Sequence, residues 1–251
     1  MTMIRPGGEA LTIKAAKKAN LPEGAAILDM GCGEGDTAAL LARDFGFKMT
    51  GVDASCKMIE RGKKKHPGLD LRNMEAEHLE FESCVFDAVF MECSLSVMRI
   101  QEDAAFEACC VLKPGGKLII TDLYLPDPDH AAVAAMLAAA KEKRERPRIK
   151  GDCGENTRPP VVMLDGVFIV DELAAMMEDI GFELEYFENV SYTLTEFAAH
   201  AIMEHGSLAE YFKSAIPEGD DPAAYYACTA FGDGKDRQKK PGYFLMILRK
   251  R

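Results

Sequence analysis

The stretch ILDMGCGEGDTAALLA, residues 27–42, constrains this chain more than any other. Ile27, Leu28 and Met30 end an apolar run that reads as a buried strand, and residues 37–45 read as an amphipathic helix. Gly31, Gly33 and Gly35 stand between them. Glycines at a strand-to-helix turn let the backbone approach a ligand closely and aim helix N–H groups at it. The unit predicts an α/β sheet with something bound at that turn.

The first half continues in the same alternation. Helix-like residues 8–20, 37–45, 55–65 and 103–112 interleave with strand-like residues 25–30, 48–52, 69–72, 86–91 and 117–121, the last strand fed by the turn KPGG at 113–116. Such alternation predicts a mostly parallel sheet covered by helices on both faces. Further on, an Ala-rich helix is expected over 129–146, a loop over 150–166, helices over 171–180 and 193–212, and strands over 182–190 and 242–248.

Composition removes several classes of function. The formal net charge of -11 opposes a broad nucleic-acid-binding face, which would need Lys and Arg to neutralise phosphates. No apolar run approaches the roughly 20 residues needed to span a bilayer. The N-terminal stretch has no continuous apolar segment of the secretory kind, so a cytoplasmic location is expected. The eight cysteines are scattered with no C-x-x-C pair, which fits reduced thiols and no metal site.

Two phosphate-binding motifs fail at the glycine turn. A dinucleotide fingerprint begun at Gly31 needs glycine at 36, where Asp36 stands, and no G-K-S/T follows for a P-loop. The turn therefore suits a ligand that lacks phosphate yet wants backbone donors, such as one carrying a carboxylate. Asp53, in GVDAS at the end of the next strand, lies 22 residues beyond Gly31, where a carboxylate is positioned to accept both hydroxyls of a ribose. Glu75, followed by the backbone N–H of Ala76, has the donor and acceptor that an adenine edge requires. In chain order these sites describe an adenosyl amino acid.

DMGCGEG (29–35), GVDAS (51–55), MEAEHLEFES (74–83), FDAVFM (86–91) and LKPGGKLIITD (112–122) together resemble the successive motifs of class I S-adenosylmethionine-dependent methyltransferases. The likeness is strongest to the small-molecule branch that includes ubiquinone- and menaquinone-type and arsenite methyltransferases. It covers residues 1 to about 125 well, and 167–190 and 242–250 more loosely. The resemblance implies a doubly wound, mostly parallel seven-stranded sheet of Rossmann-like methyltransferase type, its last strand antiparallel, in a single domain spanning 1–251. It further implies a helical cap from insertions at about 123–166 and 191–241.

The same resemblance implies S-adenosylmethionine as cofactor, with S-adenosylhomocysteine as product. Asp29 would meet the methionine amino group, Gly31, Cys32 and Gly33 would line the methionine part, and Asp53 and Ala54 would hold the ribose. Met58 would lie near the adenine, with Glu75 and Ala76 at its edge; family members usually carry Asp at the position of Glu75. Glu92 and Ser94 follow the fourth strand, where the family places groups facing the methyl donor and acceptor, and are the catalytic candidates. RPGG (5–8) resembles a segment that closes over the cofactor.

The expected reaction is methyl transfer to O, N, S or C of a small molecule. The [D/N]-P-P-[Y/F] motif of nucleic-acid amino methylation is absent, MECSLS standing in its place. Arsenite methylation is an alternative resting on Cys153, though the helix DTAALLARDF lacks the cysteine that branch carries there. A non-catalytic cofactor-binding protein of the same fold is a second alternative. Phe168, Tyr186, Tyr192, Phe197 and Tyr211 are candidates to line an apolar acceptor pocket.

Overall fold

A computed structural model describes residues 5–126, 149–150, 156–157, 168–207, 210–211 and 241–251. The chain runs α1 (Gly8–Ala19), β1 (Ala26–Met30), α2 (Asp36–Phe45), β2 (Lys48–Asp53), α3 (Cys56–Lys65), β3 (Asp70–Asn73), β4 (Phe86–Glu92), α4 (Gln101–Val111) and β5 (Leu112–Tyr124). It continues with α5 (Val170–Ile180), β6 (Phe182–Asn189), α6 (Tyr192–His205) and β7 (Gly242–Lys250). A two-residue ladder pairs Ile149–Lys150 with Asn156–Thr157.

The seven strands form one sheet in the order β3-β2-β1-β4-β5-β7-β6. β7 runs antiparallel to both neighbours, and the other pairings are parallel. The doubly wound expectation holds, with the single reversed strand where the resemblance put it. Chain order reverses between β1 and β4, the topological switch point at whose carboxyl end such sheets bind ligands.

Alternation along the central strands explains how two faces become two cores. Leu28 and Met30 of β1, Val89 and Met91 of β4, and Leu118 and Ile120 of β5 face α4 and α5. Ile27, Phe90 and Ile119 face the opposite way, toward Leu11 and Ala15 of α1 and Leu41 of α2. Strands buried on both sides read as continuous apolar runs, which is why FDAVFM and GYFLMIL stand out in the sequence. The edge strand β6 instead carries Glu183 and Glu185, paired with Arg249 and Lys117, so charge occupies an edge open to further strand pairing.

Local signals set most boundaries. Ser55 caps α3 by accepting from the Met58 N–H at 3.3 Å, and Gly46 ends α2 in the left-handed region. Two expectations need correction. KPGG is not a turn before β5 but lies within it, because Leu112 already pairs with Phe86 ahead of a register shift. The helix expected over 193–212 stops at His205, where Gly206 takes φ +80° and its N–H closes on Ile202 O. The helix expected over 129–146 and most of the 150–166 loop lie outside the described residues, as do Cys153 and the greater part of both proposed cap insertions.

Candidate functional site

The glycine turn is held in place from below. The N–H groups of Gly31 and Cys32 both donate to Val52 O, at 2.8 and 3.0 Å, fastening the turn to the end of β2. Gly31 has φ +78°, and a Cβ there would come within 2.5 Å of Ser94 Cβ. Both facts demand glycine. Gly33 also has a positive φ, of +55°, but nothing lies within 4 Å of where its Cβ would point. One glycine is required by packing; the other opens backbone toward space.

Asp53 stands at the tip of β2 beside that space. Its Oδ2 accepts from Gly33 N–H at 2.9 Å and its Oδ1 from Ser55 N–H at 2.8 Å. An ionised carboxylate has about four acceptor positions, so two remain for a ligand. Burial pushes the Asp53 carboxyl up, and the two backbone donors pull it back. Asn73 Nδ2 and Met74 N–H both donate to Asp53 O, which ties the loop bearing Glu75 and Ala76 to the same strand tip. Glu75 is half-buried, Ala76 buried and Ala54 exposed. Met58 is half-buried on the first turn of α3, with Arg61 Nη2 3.1 Å from its sulfur.

Asp29, next to last in β1, is 2 % exposed. Its Oδ2 is buried with no hydrogen-bond partner among the described residues. Burial, followed by the negative charge of Glu92, pushes its carboxyl to about 8, against the opposing pull of Arg5. A buried carboxylate oxygen left unpaired is costly, and a cationic ligand group would relieve it. Cys32, one residue past Gly31, is buried with its thiol pushed far up by burial, so it packs rather than reacts.

Glu92 closes the end of β4 and is also buried. Arg5 Nη2 lies 2.8 Å from its Oε2. Thr12 Oγ1 of α1 donates to Oε1 at 3.0 Å and Thr37 Oγ1 of α2 to Oε2 at 2.9 Å. Arg5 in turn donates to both threonine hydroxyls, at 3.1 Å for Thr37. Both Glu92 oxygens are thereby engaged by protein groups. Ser94 likewise has its hydroxyl committed, donating to Met30 O at 2.7 Å while its Cβ fills the space beside Gly31.

Beyond Glu92, Cys93 adopts φ +53° and its sulfur lies 2.7 Å from the hydroxyl of the fully buried Tyr243, which donates to Thr121 Oγ1 at 3.2 Å. Sequence reasoning named Glu92 but missed Arg5, Thr12 and Thr37 as its partners, and Tyr243 as the partner of Cys93. Arg5 belongs to the RPGG segment, whereas no spacing signal marks the two threonines. The five pocket aromatics do not converge. Phe168 packs in the core with Phe244, Tyr186 lies under Lys18, Tyr192 is exposed, and only Phe197 and Tyr211 meet, at 5.4 Å.

Among the described residues no group of three or more His, Cys, Asp or Glu is placed to hold a metal ion, and no helix is long and apolar enough to cross a membrane.

Residues 27–116 match a family described as "Methyltransferase domain". An O-methyltransferase of Pyrenophora dematioidea is 31% identical over 152 residues, covering 54% of this chain and 57% of that protein. An O-methyltransferase of Penicillium expansum is 28% identical over 211 residues, covering 81% and 73%. The chain thus spans little more than half the length of the first of these curated relatives. The crystal structure of the [4+2]-cyclase SpnF superposes with a TM-score of 0.67 at 23% identity, covering 96% of this chain and 81% of that one. At that identity the likeness concerns the fold.

Proposed function

We propose that this chain, which belongs to the class I S-adenosylmethionine-dependent methyltransferases, transfers the methyl group of that cofactor to a small-molecule acceptor. The observation that carries this reading is the Oδ2 of Asp29, buried and unpartnered among the described residues, at the strand end that leads into the open backbone at Gly33. The cofactor's ammonium group would draw the raised Asp29 carboxyl into its ionised form and pair with it, and its ribose hydroxyls match the two acceptor positions left on Asp53. When bound, S-adenosylmethionine supplies an electrophilic sulfonium methyl.

In this reading Asp29 holds the ammonium end of the cofactor and Asp53 its ribose, while Gly31, Cys32 and Gly33 line its methionine part. Ala54 extends the ribose site, and Met58, Glu75 and Ala76 flank the adenine. Glu92, engaged on both oxygens by Arg5, Thr12 and Thr37, is a positioning residue in this reading. Ser94 sets the seat of Gly31. In-line displacement at a methyl group needs alignment and exclusion of water more than a base.

The names of the relatives, O-methyltransferases among them, support a small organic acceptor. The names of these relatives give arsenite no comparable support. A second reading, cofactor binding without methyl transfer, draws on the fold likeness to a protein named for cyclisation.

Calorimetry with S-adenosylmethionine and S-adenosylhomocysteine, followed by incorporation of labelled methyl from the cofactor into a pool of phenols, quinols and amines, separates the two. Binding with incorporation is the expected result. Binding without incorporation favours the second reading, and no binding by the folded chain overturns both.

A further inference from the structure

At the end of the sheet opposite the glycine turn, the chain gathers three thiols around one lysine. Cys84 precedes β4, and its N–H donates to Cys110 O at 3.0 Å; Val85 N–H repeats the contact with Val111 O at 2.9 Å. Two consecutive backbone bonds thus hold Cys84 flush against the last turn of α4, where Cys109 and Cys110 are adjacent. Cys84 is exposed and adopts φ +59°, a left-handed conformation uncommon outside glycine. Strained backbone of this kind is characteristic of positions kept for more than packing.

Lys250, at the end of β7, is anchored by donating to Leu112 O at 2.7 Å, and the same ammonium lies 3.7 Å from Cys84 Sγ. Cys109 and Cys110 are half-buried. Burial pushes both thiols up, and Lys250 opposes that push on each. Cys109 turns toward Ile180 O, 3.8 Å from its sulfur, whereas Cys110 shares its backbone contact with Cys84. None of these groups takes part in the proposed cofactor site.

We propose that Cys84 and Cys110 form a peroxide-responsive thiol pair, with Cys84 the residue first oxidised and Cys110 its resolving partner. The Cys84 thiolate attacks one oxygen of a hydroperoxide; the O–O bond breaks, the departing oxygen leaves as water (or an alcohol), and Cys84 becomes a sulfenic acid. The Cys110 thiolate then attacks that sulfur, the S–O bond breaks, and the oxygen leaves as water with the released proton. Two thiols are oxidised by two electrons in all, and one O–O bond is reduced. The Lys250 ammonium 3.7 Å from the Cys84 sulfur and a second cysteine one backbone hydrogen bond away are the two features that distinguish this pair from inert buried cysteines. The disulfide would staple the start of β4 to the end of α4.

The test uses the full chain, treated with hydrogen peroxide in small excess and mapped by mass spectrometry without reduction. The expected product is one Cys84–Cys110 cross-link, two hydrogens lighter, reversed by dithiothreitol and absent from Cys84→Ser and Cys110→Ser. In parallel, limiting iodoacetamide applied to the unmodified wild type should label Cys84 ahead of the other thiols, and Lys250→Met should slow that labelling by about threefold or more. A cross-link through Cys109 or Cys153, sulfinic acid at Cys84 with no cross-link, or labelling of Cys84 no faster than the rest overturns the proposal. The wild-type measurements need no variant to fold.

Discussion

Arg5 Nη2 lies 2.8 Å from Glu92 Oε2 with both side chains buried, so the fifth residue of the chain is bonded to the tip of the fourth strand. Burial alone would lower the Arg5 guanidinium, yet Glu92 leads a set of negative groups that carry it above its ordinary value. Removing one partner leaves the other charge buried and alone, which costs roughly 3–5 kcal/mol, whereas replacing both by apolar side chains is often close to neutral. Arg5→Ala and Glu92→Leu are each expected to destabilise strongly in urea titrations. The double variant Arg5→Met/Glu92→Leu is expected to lose less than either. Equal or greater loss in the double variant would show that the threonine contacts, not the ion pair, carry the energy.

Gly31→Ala tests the seat of the turn. A left-handed φ costs a non-glycine residue roughly 1–2 kcal/mol, and the overlap with Ser94 Cβ at 2.5 Å adds to it. Combining Gly31→Ala with Ser94→Gly removes the overlap but leaves the backbone strain, so partial rescue is expected in urea denaturation, read as a double-mutant cycle. Full rescue would mean that the backbone conformation is not held as tightly as its bonds to Val52 O imply.

Asp53 is expected to matter far more to binding than to folding. Its carboxylate already serves Gly33 and Ser55, so Asp53→Ala loses two backbone contacts, but the strand tip stays tied through Asn73 and Met74 to the Asp53 carbonyl. Two charge-assisted bonds to ribose hydroxyls, at roughly 1.5–3 kcal/mol each, correspond to about a hundredfold or greater loss of S-adenosylhomocysteine affinity. Asp53→Asn, which keeps one acceptor, is expected to fall between. Calorimetry on variants with native circular dichroism decides it; unchanged affinity would move the ribose elsewhere.

Much of this was legible from residue pattern because the informative elements are short and doubly buried. Strands such as FDAVFM and GYFLMIL announce themselves by apolar continuity, and Gly31 by its place between strand and helix. The engagement of Glu92 was not legible, because its partners come from residues 5, 12 and 37, and nothing in their spacing marks two helix threonines as facing one carboxylate. The KPGG segment misled for a physical reason: a Pro-Gly-Gly run normally closes a turn, but Leu112 had already entered the sheet against Phe86. Of the candidate pocket aromatics Phe168 lies in the core, as aromatic residues in an α/β chain most often do.

The carboxyl of Asp29 supplies the last and most specific expectation. It faces Glu92 from β4, Asp53 from β2 and Arg5 from the N-terminal segment, and the balance, led by burial, raises it from 3.8 to about 8. A folded-state value above the unfolded one means that the native state binds a proton the unfolded chain has released. The associated stability is therefore fully present below about pH 4 and is lost as pH rises through about 8. Asp29→Asn cannot ionise, so it should remove this loss: little change from wild type at pH 4, and a gain on the order of a few kcal/mol at pH 8.5 in the ligand-free protein. The same substitution should weaken S-adenosylmethionine binding by about tenfold or more at pH 8.5, because an amide no longer offers a negative oxygen to an ammonium group. Urea titrations and calorimetry across that range test both limbs. Stabilisation together with weakened binding identifies a carboxylate kept buried for a ligand, whereas stabilisation with unchanged affinity would assign Asp29 to the core alone.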